Sequence, residues 1–142
     1  MRAIAYTSII PVHRLDDSVR YVLDQKKSSR AGSLREAVDY ALNRDKTEQD
    51  LFESAIGCTL ETAFADMRRV KKMWHKEGGV QGFHLVQSFA PGEGTPELAH
   101  QIGMEFADRL LGENFQAVIA THLNTGHLHN HIVWNSVSMV DG

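Results

Sequence analysis

Residues 115–138 read FQAVIATHLNTGHLHNHIVWNSVS, two largely apolar stretches separated by Asn124-Thr125-Gly126. Apolar and β-branched residues on both sides of a short turn that contains glycine predict a β-hairpin. We expect its strands over residues 115–123 and 127–138. Such a hairpin belongs to an antiparallel sheet, and this one also carries half of the eight histidines of the chain.

Side chains along a strand alternate between the two faces of the sheet, so His127, His129, His131 and Asn135 share one face. The residues between them are mostly apolar and should pack on helices, which leaves the histidine-bearing face open. His122 lies opposite His129 if the turn has an even number of residues, and it points to the other face if the number is odd. The even register predicts three imidazoles that can share one cation.

The ligand set predicts a catalytic rather than a structural metal site. A structural zinc site normally has four ligands and often thiolates, whereas Cys58 is the only cysteine and lies far from the histidines in sequence. Three histidines leave coordination positions open for a substrate oxygen. The alternative interpretation is a polar sheet face whose histidines bind nothing.

Outside the hairpin, the apolar residues follow strand or helix periodicity in turn. Ser33 and Glu36 form a capping-box sequence, Thr59 is a candidate N-cap, and Thr95-Pro96 opens a helix that Gly112 closes. Hairpins mixed with helices predict an α+β fold with a central antiparallel β-sheet, helices packed mainly on one face and the metal site on the open face. The predicted strands are 2–11 and 82–90, and the predicted helices are 15–24, 33–44, 59–76 and 95–112.

Length and composition limit the class of protein. The 142 residues fit one domain over residues 1–142, and the closing turn sequence Asp141-Gly142 indicates the N-terminal part of a longer protein. A formal net charge of −3 argues against coating nucleic acid by bulk charge, although it allows a local basic surface. The chain has no secretory signal, no apolar run of about 18 residues and a single cysteine, so we expect a cytoplasmic protein.

The order of the hairpin residues resembles the metal motif of conjugative relaxases: His122, six residues, then His129-Asn130-His131, with Asn135 four residues further on. These enzymes are MOBP-type mobilization nucleases of plasmids and integrative conjugative elements, within the HUH endonuclease group. The resemblance covers nearly the whole chain. The other stretches that carry it are TSIIPV (7–12), similar to the family's first strand, VDYALNRDKT (38–47), similar to its tyrosine motif, and QGFHLVQSFAPGEGTPELAHQIG (81–103), similar to its second motif.

The resemblance implies an enzyme that cuts one strand of single-stranded DNA at an origin of transfer. In this family a tyrosine hydroxyl attacks the scissile phosphate, which gives a 5′-phosphotyrosine intermediate and a free 3′-OH for conjugative transfer. His122, His129 and His131 would hold a divalent metal ion, with Mn²⁺ or Mg²⁺ as first candidates and Zn²⁺, Ni²⁺ or Co²⁺ as alternatives. The implied partners are the origin DNA, a relaxosome accessory protein and a coupling protein, without a membrane.

Two tyrosines compete for the role of nucleophile. Tyr40 is the first choice, because Tyr40-Ala-Leu-Asn43-Arg-Asp-Lys46-Thr47 matches the tyrosine motif more fully. Tyr21 better fits the usual distance from the first strand to that motif. At least one of them is an ordinary packed or surface side chain unless both react.

Further residues are candidates for supporting roles. His127 could be a fourth metal contact, a proton carrier or a DNA contact. Glu93 could be a carboxylate that supports the metal ligands without binding the metal itself, or a base, with an exposed loop acid as the alternative. Asn124 stands where the family often has aspartate. The auxiliary candidates are His127, Asn135, Asn124 and Glu93, and the candidate DNA contacts are Ser88, Lys46, Arg68 and Lys72, while His84 and His100 are interpreted as structural.

Two other functions remain open at this point. A rolling-circle replication initiator shares the metal hairpin, but its tyrosine usually follows the histidine motif, whereas Tyr21 and Tyr40 both precede it. A non-catalytic metal-binding or DNA-binding module is the second alternative. A metal-dependent cleavage assay on single-stranded DNA separates that module from an enzyme.

Overall fold

The computed structural model describes residues 5–13, 33–42, 49–124 and 126–142. The predicted helix over 15–24 lies outside the described residues. Within them the chain forms five strands, β1 (Ala5–Val12), β2 (Gln49–Ile56), β3 (Gly82–Phe89), β4 (Ala117–Asn124) and β5 (His127–Asn135). It also forms three helices there, α1 (Leu34–Ala41), α2 (Ala63–Met73) and α3 (Pro96–Leu111).

The strands make one sheet in the order β1-β3-β5-β4-β2, and every neighbouring pair is antiparallel. The predicted α+β class is therefore confirmed. The predicted hairpin is β4–β5, and it lies at the centre of the sheet. Asn124 pairs with His127, so two residues separate the paired ends, and Gly126 has the positive φ of 78° that tight hairpin turns require.

Strand β2 was not predicted from the sequence. Its residues QDLFESAI contain two acidic residues and do not alternate cleanly between apolar and polar. It is an edge strand, where charged residues are tolerated, and its pairing with β4 shifts register between Asp50 and Phe52. Pairing with β4, rather than any local pattern, makes this segment a strand.

Local sequence patterns do predict where the helices begin. The Ser33 hydroxyl accepts a hydrogen bond from the Glu36 amide at 3.1 Å, which confirms the capping box of α1. Thr95 caps α3 and Gly112 ends it, as predicted. Helix α2 begins later than predicted, with Thr62 at the N-cap, because the Thr59 hydroxyl instead accepts from the Thr62 amide in a preceding turn.

The distribution of the helices differs from the prediction, because they cover both faces of the sheet. Helix α3 packs through Ala107 and Leu111 on the face that carries Ile119 and Ile132. Helices α1 and α2 pack on the opposite face, which carries the histidines of the hairpin, over a core that includes Val133. This face is therefore not open along its whole length, because its valines, away from the hairpin turn, are apolar and require cover. In the part of the chain that the structure describes, no helix has the length and apolar character needed to cross a membrane.

Candidate active site

Three histidines converge on one face of the hairpin. His122 on β4 is paired directly with His129 on β5, which confirms the even register, and His131 follows two residues later on the same face. Their candidate ligand nitrogens all lie within 4.8 Å of one another. Two nitrogens bound to one cation at about 2.1 Å are at most about 4.2 Å apart, so small side-chain rotations bring this set to bonding distance. We call these three residues the histidine cluster, and its donor set fits a divalent cation.

Two members of the cluster are oriented through their other ring nitrogen. His122 is fully buried and its Nε2 donates to the carbonyl of Ala41, the last residue of α1, at 2.7 Å. His131 is buried as well, and its Nδ1 shares a hydrogen bond of 3.0 Å with Nε2 of His84. Metal-binding histidines commonly use their second ring nitrogen in this way. The nitrogens that can then face a cation are Nδ1 of His122 and Nε2 of His131.

Tyr40 lies beside the histidine cluster. Its ring meets the His131 ring edge-on, with 4.9 Å between the ring centroids, and it also contacts His84 with 5.9 Å between centroids. Leu34, Ala37, Val38 and Ala41, the buried residues of α1, hold the helix against the sheet. Tyr40 itself is half-buried. Helix α1 thus carries a phenol to the cluster, whereas Tyr21 lies outside the described residues.

The end of the sheet at the hairpin turn carries four more of the predicted residues. Ser88 on β3 pairs with His129, so the two side chains share a face. Glu93 lies in the loop that follows β3, half-buried, and its Oε1 is buried without a hydrogen bond from the described residues. His127 is exposed at the start of β5, opposite the backbone of Asn124 at the end of β4.

Comparison with known proteins identifies the family. A family model described as "Relaxase: MobA/VirD2-like, nuclease domain" matches residues 40–142. The chain belongs to this relaxase family. The resemblance drawn from the sequence motifs is thereby confirmed, and the matched region contains Tyr40 and the whole histidine cluster.

Several curated proteins are similar to this relaxase domain. A protein Rlx of Staphylococcus aureus is 35% identical over 116 residues, which cover 82% of this chain and 33% of that protein. A group II intron-interrupted relaxase LtrB of Lactococcus lactis is 43% identical over 68 residues, which cover 47% of this chain and 12% of that protein. The domain thus spans about a third of the length of the Rlx relatives. No solved structure was found to match it.

In this relaxase domain, Asn135 lies away from the histidine cluster. Although Asn135 shares its face with His131, four residues of extended strand separate them by about 13 Å. Asn135 is fully buried, its amide donates to the carbonyl of Met67 and to Gln116, and its Oδ1 accepts from Lys71. The residue therefore joins α2 to the sheet, and the structure does not bring it to the other auxiliary candidates.

Lys71 also lies among the basic residues of α2, but unlike those of Arg68 and Lys72 its side chain is not exposed. It is fully buried, and its ammonium donates to the carbonyl of Gln81 at 2.6 Å, to Asn135 Oδ1 at 2.5 Å and to the Ser136 hydroxyl at 3.2 Å. Burial lowers the pKa of Lys71 to about 8. Three acceptors match the three donors of an ammonium group, so the side chain bridges α2 and the sheet and cannot contact a DNA phosphate.

The remaining candidate DNA contacts lie at the edge of the molecule or outside the described residues. Arg68 and Lys72 are exposed and stand one turn apart on α2, which makes them neighbours on the same side of the helix. Because α2 is bonded to Asn135, these side chains lie toward the end of the sheet opposite the hairpin turn. Lys46 lies outside the described residues.

Sequence reasoning missed a polar network on the other face of the sheet, behind the cluster. Asn130, between two cluster histidines in sequence, accepts from the Thr121 hydroxyl at 2.6 Å and donates to Gln87 and to the carbonyl of Ala99. His100 on α3 continues the network, with hydrogen bonds to Thr121 and to Ser54 on β2. The network ties four strands and α3 together under the site. The signal in the sequence was that Asn130 and Thr121 are polar residues at positions of the hairpin that otherwise carry buried apolar side chains.

Proposed function

We propose that this relaxase domain cuts one strand of single-stranded DNA at an origin of transfer, with Tyr40 as the nucleophile and a divalent cation on the histidine cluster. One observation carries the proposal: the Tyr40 ring packs edge-on against His131, a member of the cluster. A nucleophile and a Lewis-acid site must both reach one phosphate, and α1 holds them side by side. Family membership supplies the independent support.

The proposed reaction is a transesterification. The Tyr40 hydroxyl oxygen forms a bond to phosphorus, the bond from phosphorus to the 3′-oxygen breaks, and the phenol proton ends on that 3′-oxygen. The products are a 5′-phosphotyrosine and a free 3′-OH, and the ester bond conserves the energy needed to rejoin the strand. An unperturbed phenol has a pKa of about 10, so a base must take up its proton as the bond forms.

The three imidazoles fit the metal that this chemistry needs. When bound there, a divalent cation would act as a Lewis acid on the non-bridging phosphate oxygens. Mn²⁺ and Mg²⁺ are the first candidates; imidazole ligands also suit Zn²⁺, Ni²⁺ and Co²⁺, and on ligand preference they favour Mn²⁺ over Mg²⁺. His122 and His131 are held in place by Ala41 and His84, so these rings are pre-oriented before the cation binds.

Two observations support Tyr40 over Tyr21. The family match begins at residue 40, and the Tyr40 ring lies against the cluster. We therefore expect Tyr40→Phe to abolish the covalent adduct on a single-stranded origin oligonucleotide, and Tyr21→Phe to retain it. Denaturing gels detect the adduct, and mass spectrometry of the DNA-linked peptide locates it. An adduct that persists in Tyr40→Phe rejects Tyr40, and one that persists in the double variant rejects both Tyr40 and Tyr21 as the nucleophile.

The proposal includes a path for the DNA. Ser88 shares a face with His129 and is the candidate contact beside the scissile phosphate, while Arg68 and Lys72 are candidate contacts to more distant phosphates. A relaxosome accessory protein and a coupling protein are the proposed partners of the whole protein. The same cleavage assay distinguishes this function from a non-catalytic module, because only the enzyme forms products that disappear when the cation is chelated.

A further inference from the structure

We propose that His84 is a positioning residue that fixes the ring orientation and the tautomer of His131 for metal binding. The inference rests on the proposed function, since it concerns the same metal site. Among the described residues, the histidine cluster consists of three residues of the β4–β5 hairpin, whose spacing in the sequence predicted it. His84 comes from a different strand, β3, and no spacing rule connects it to the cluster.

The geometry places His84 directly behind His131. His84 is fully buried, and β3 pairs with β5 so that His84 stands opposite Val133, two residues beyond His131. This diagonal arrangement puts the two ring centroids 5.2 Å apart and their facing nitrogens 3.0 Å apart. The Tyr40 ring packs against both imidazoles. His84 therefore contacts a candidate ligand and the candidate nucleophile at once.

The hydrogen bond between the two rings determines which nitrogen of His131 can bind a cation. Only one of the two facing nitrogens can carry the proton. If His131 binds a cation through Nε2, its proton must sit on Nδ1, and Nε2 of His84 must accept it. His84 then carries its own proton on Nδ1. The opposite arrangement places a proton on Nε2 of His131 and blocks that nitrogen as a ligand.

The competing explanation is that His84 only fills space between β1, β3 and β5. A space-filling residue affects the free energy of unfolding but not the metal affinity of the folded protein. Replacing a residue that orients a ligand histidine typically lowers metal affinity by about 10- to 100-fold. Metal affinity measured on folded protein therefore separates positioning from packing.

The experiment compares three variants of the full chain. His84→Leu removes the acceptor, His84→Gln retains an acceptor oxygen near the position of Nε2, and His100→Gln is the matched control. His100 is a partly buried histidine with two hydrogen bonds, to Ser54 and Thr121, on the other face of the sheet. Titration calorimetry with Mn²⁺ gives the affinity, the absorption spectrum of bound Co²⁺ reports the ligand geometry, and circular dichroism verifies folding.

We expect His84→Leu to bind Mn²⁺ about 10- to 100-fold more weakly and to alter the Co²⁺ spectrum. His84→Gln should recover most of the affinity, and His100→Gln should bind as the wild type does. Affinity unchanged in His84→Leu, with tight binding by the wild type, overturns the inference and leaves the proposed function intact. A wild-type chain that binds no divalent cation overturns both.

A second measurement needs no variant and covers the case in which His84→Leu does not fold. In the Zn²⁺-loaded wild type, long-range ¹H–¹⁵N correlation spectra assign the tautomer of each histidine. We expect a protonated Nδ1 and an unprotonated Nε2 in His84, with His131 bound to the metal through Nε2. A proton found on Nε2 of His84 in the loaded protein contradicts the positioning role.

Discussion

The polar network behind the histidine cluster predicts that a normally stabilising substitution will destabilise this protein. Gly103 lies inside α3, where glycine costs about 1 kcal/mol relative to alanine, so Gly103→Ala should stabilise an ordinary helix. A Cβ atom at this position would lie 2.7 Å from Nδ2 of Asn130 and 3.1 Å from its Cγ. Both contacts are too short, so Asn130 or the helix must move.

The expected change in the free energy of unfolding follows from the hydrogen bonds of Asn130 that the new methyl group would disturb. The Asn130 amide donates to Gln87 at 3.1 Å and to the Ala99 carbonyl at 2.8 Å, and displacing it strains or breaks both. At about 1 kcal/mol for each hydrogen bond, the loss is about 2 kcal/mol, to which the cost of leaving buried groups unpaired is added. After the helix gain of about 1 kcal/mol is subtracted, we expect Gly103→Ala to destabilise the protein by about 1–2 kcal/mol.

Urea unfolding, followed by circular dichroism, measures this change, and a double-mutant cycle tests its cause. In an Asn130→Ala background the obstructing side chain is absent, so the same Gly103→Ala substitution should become stabilising, by up to about 1 kcal/mol. Asn130→Ala alone should cost about 3 kcal/mol, since it removes three hydrogen bonds. The reasoning is refuted if Gly103→Ala has the same sign in both backgrounds.

Three further predictions concern the site and the core. His129→Ala should lower Mn²⁺ affinity and the cleavage rate at least 10-fold, while His75→Ala, at an exposed histidine beyond the end of α2, should change neither. Calorimetry and the cleavage assay measure both effects, and equal effects in the two variants would contradict the assigned ligand set. If the buried Oε1 of Glu93 accepts a proton or orients a bound group, Glu93→Gln should slow cleavage at least 10-fold without lowering the free energy of unfolding. Glu97→Gln, at an exposed acid nearby, is the control. An unchanged cleavage rate in Glu93→Gln would show that Glu93 is an ordinary loop acid. The pKa of Lys71 is about 8 in the folded protein, below the ordinary lysine value of 10.5, because the side chain is buried. Between these two values the unfolded state binds more protons than the folded state, so the free energy of unfolding should rise with pH across that window. Relative to Lys71→Met, the free energy of unfolding of the wild type should increase by up to about 2 kcal/mol between pH 8 and 9.5, as measured by urea unfolding. A difference between the two proteins that does not change with pH would contradict the lowered pKa of Lys71.

Much of the candidate site could be predicted because it depends on local rules. Strand alternation places His129 and His131 on one face, and an even number of turn residues, one of the two alternatives that the sequence allows, places His122 opposite His129. The capping box locates the start of α1, and the tyrosine motif favours Tyr40, which lies on this helix, over Tyr21. Each of these inferences involves residues that are close together in the chain or are joined by one short turn.

Side-chain alternation gives the face of a residue but not what covers it, so the surroundings of other residues could not be read from the sequence. Asn135 shares a face with the histidines, yet its distance along the strand places it under α2 instead of at the metal site. Lys71 sits in a run of basic residues that looks exposed in sequence, yet the side of α2 on which it lies turns inward. Strand β2 has no strong pattern of its own, and only its pairing with β4 makes it a strand.

The sequence by itself therefore determines the hairpin, the shared face of His129 and His131 and the family of the protein, and it limits the position of His122 to two alternatives, of which the structure selects one. Only the tertiary structure decides that α1 lays Tyr40 against His131, that His84 from β3 supports that same ring, and that helices cover both faces of the sheet. The physical reason is the range of the interactions. Periodicity, capping and turn length act over a few residues, whereas the contact between His84 and His131 joins positions 47 residues apart, and it forms only when separate strands and helices pack into one core.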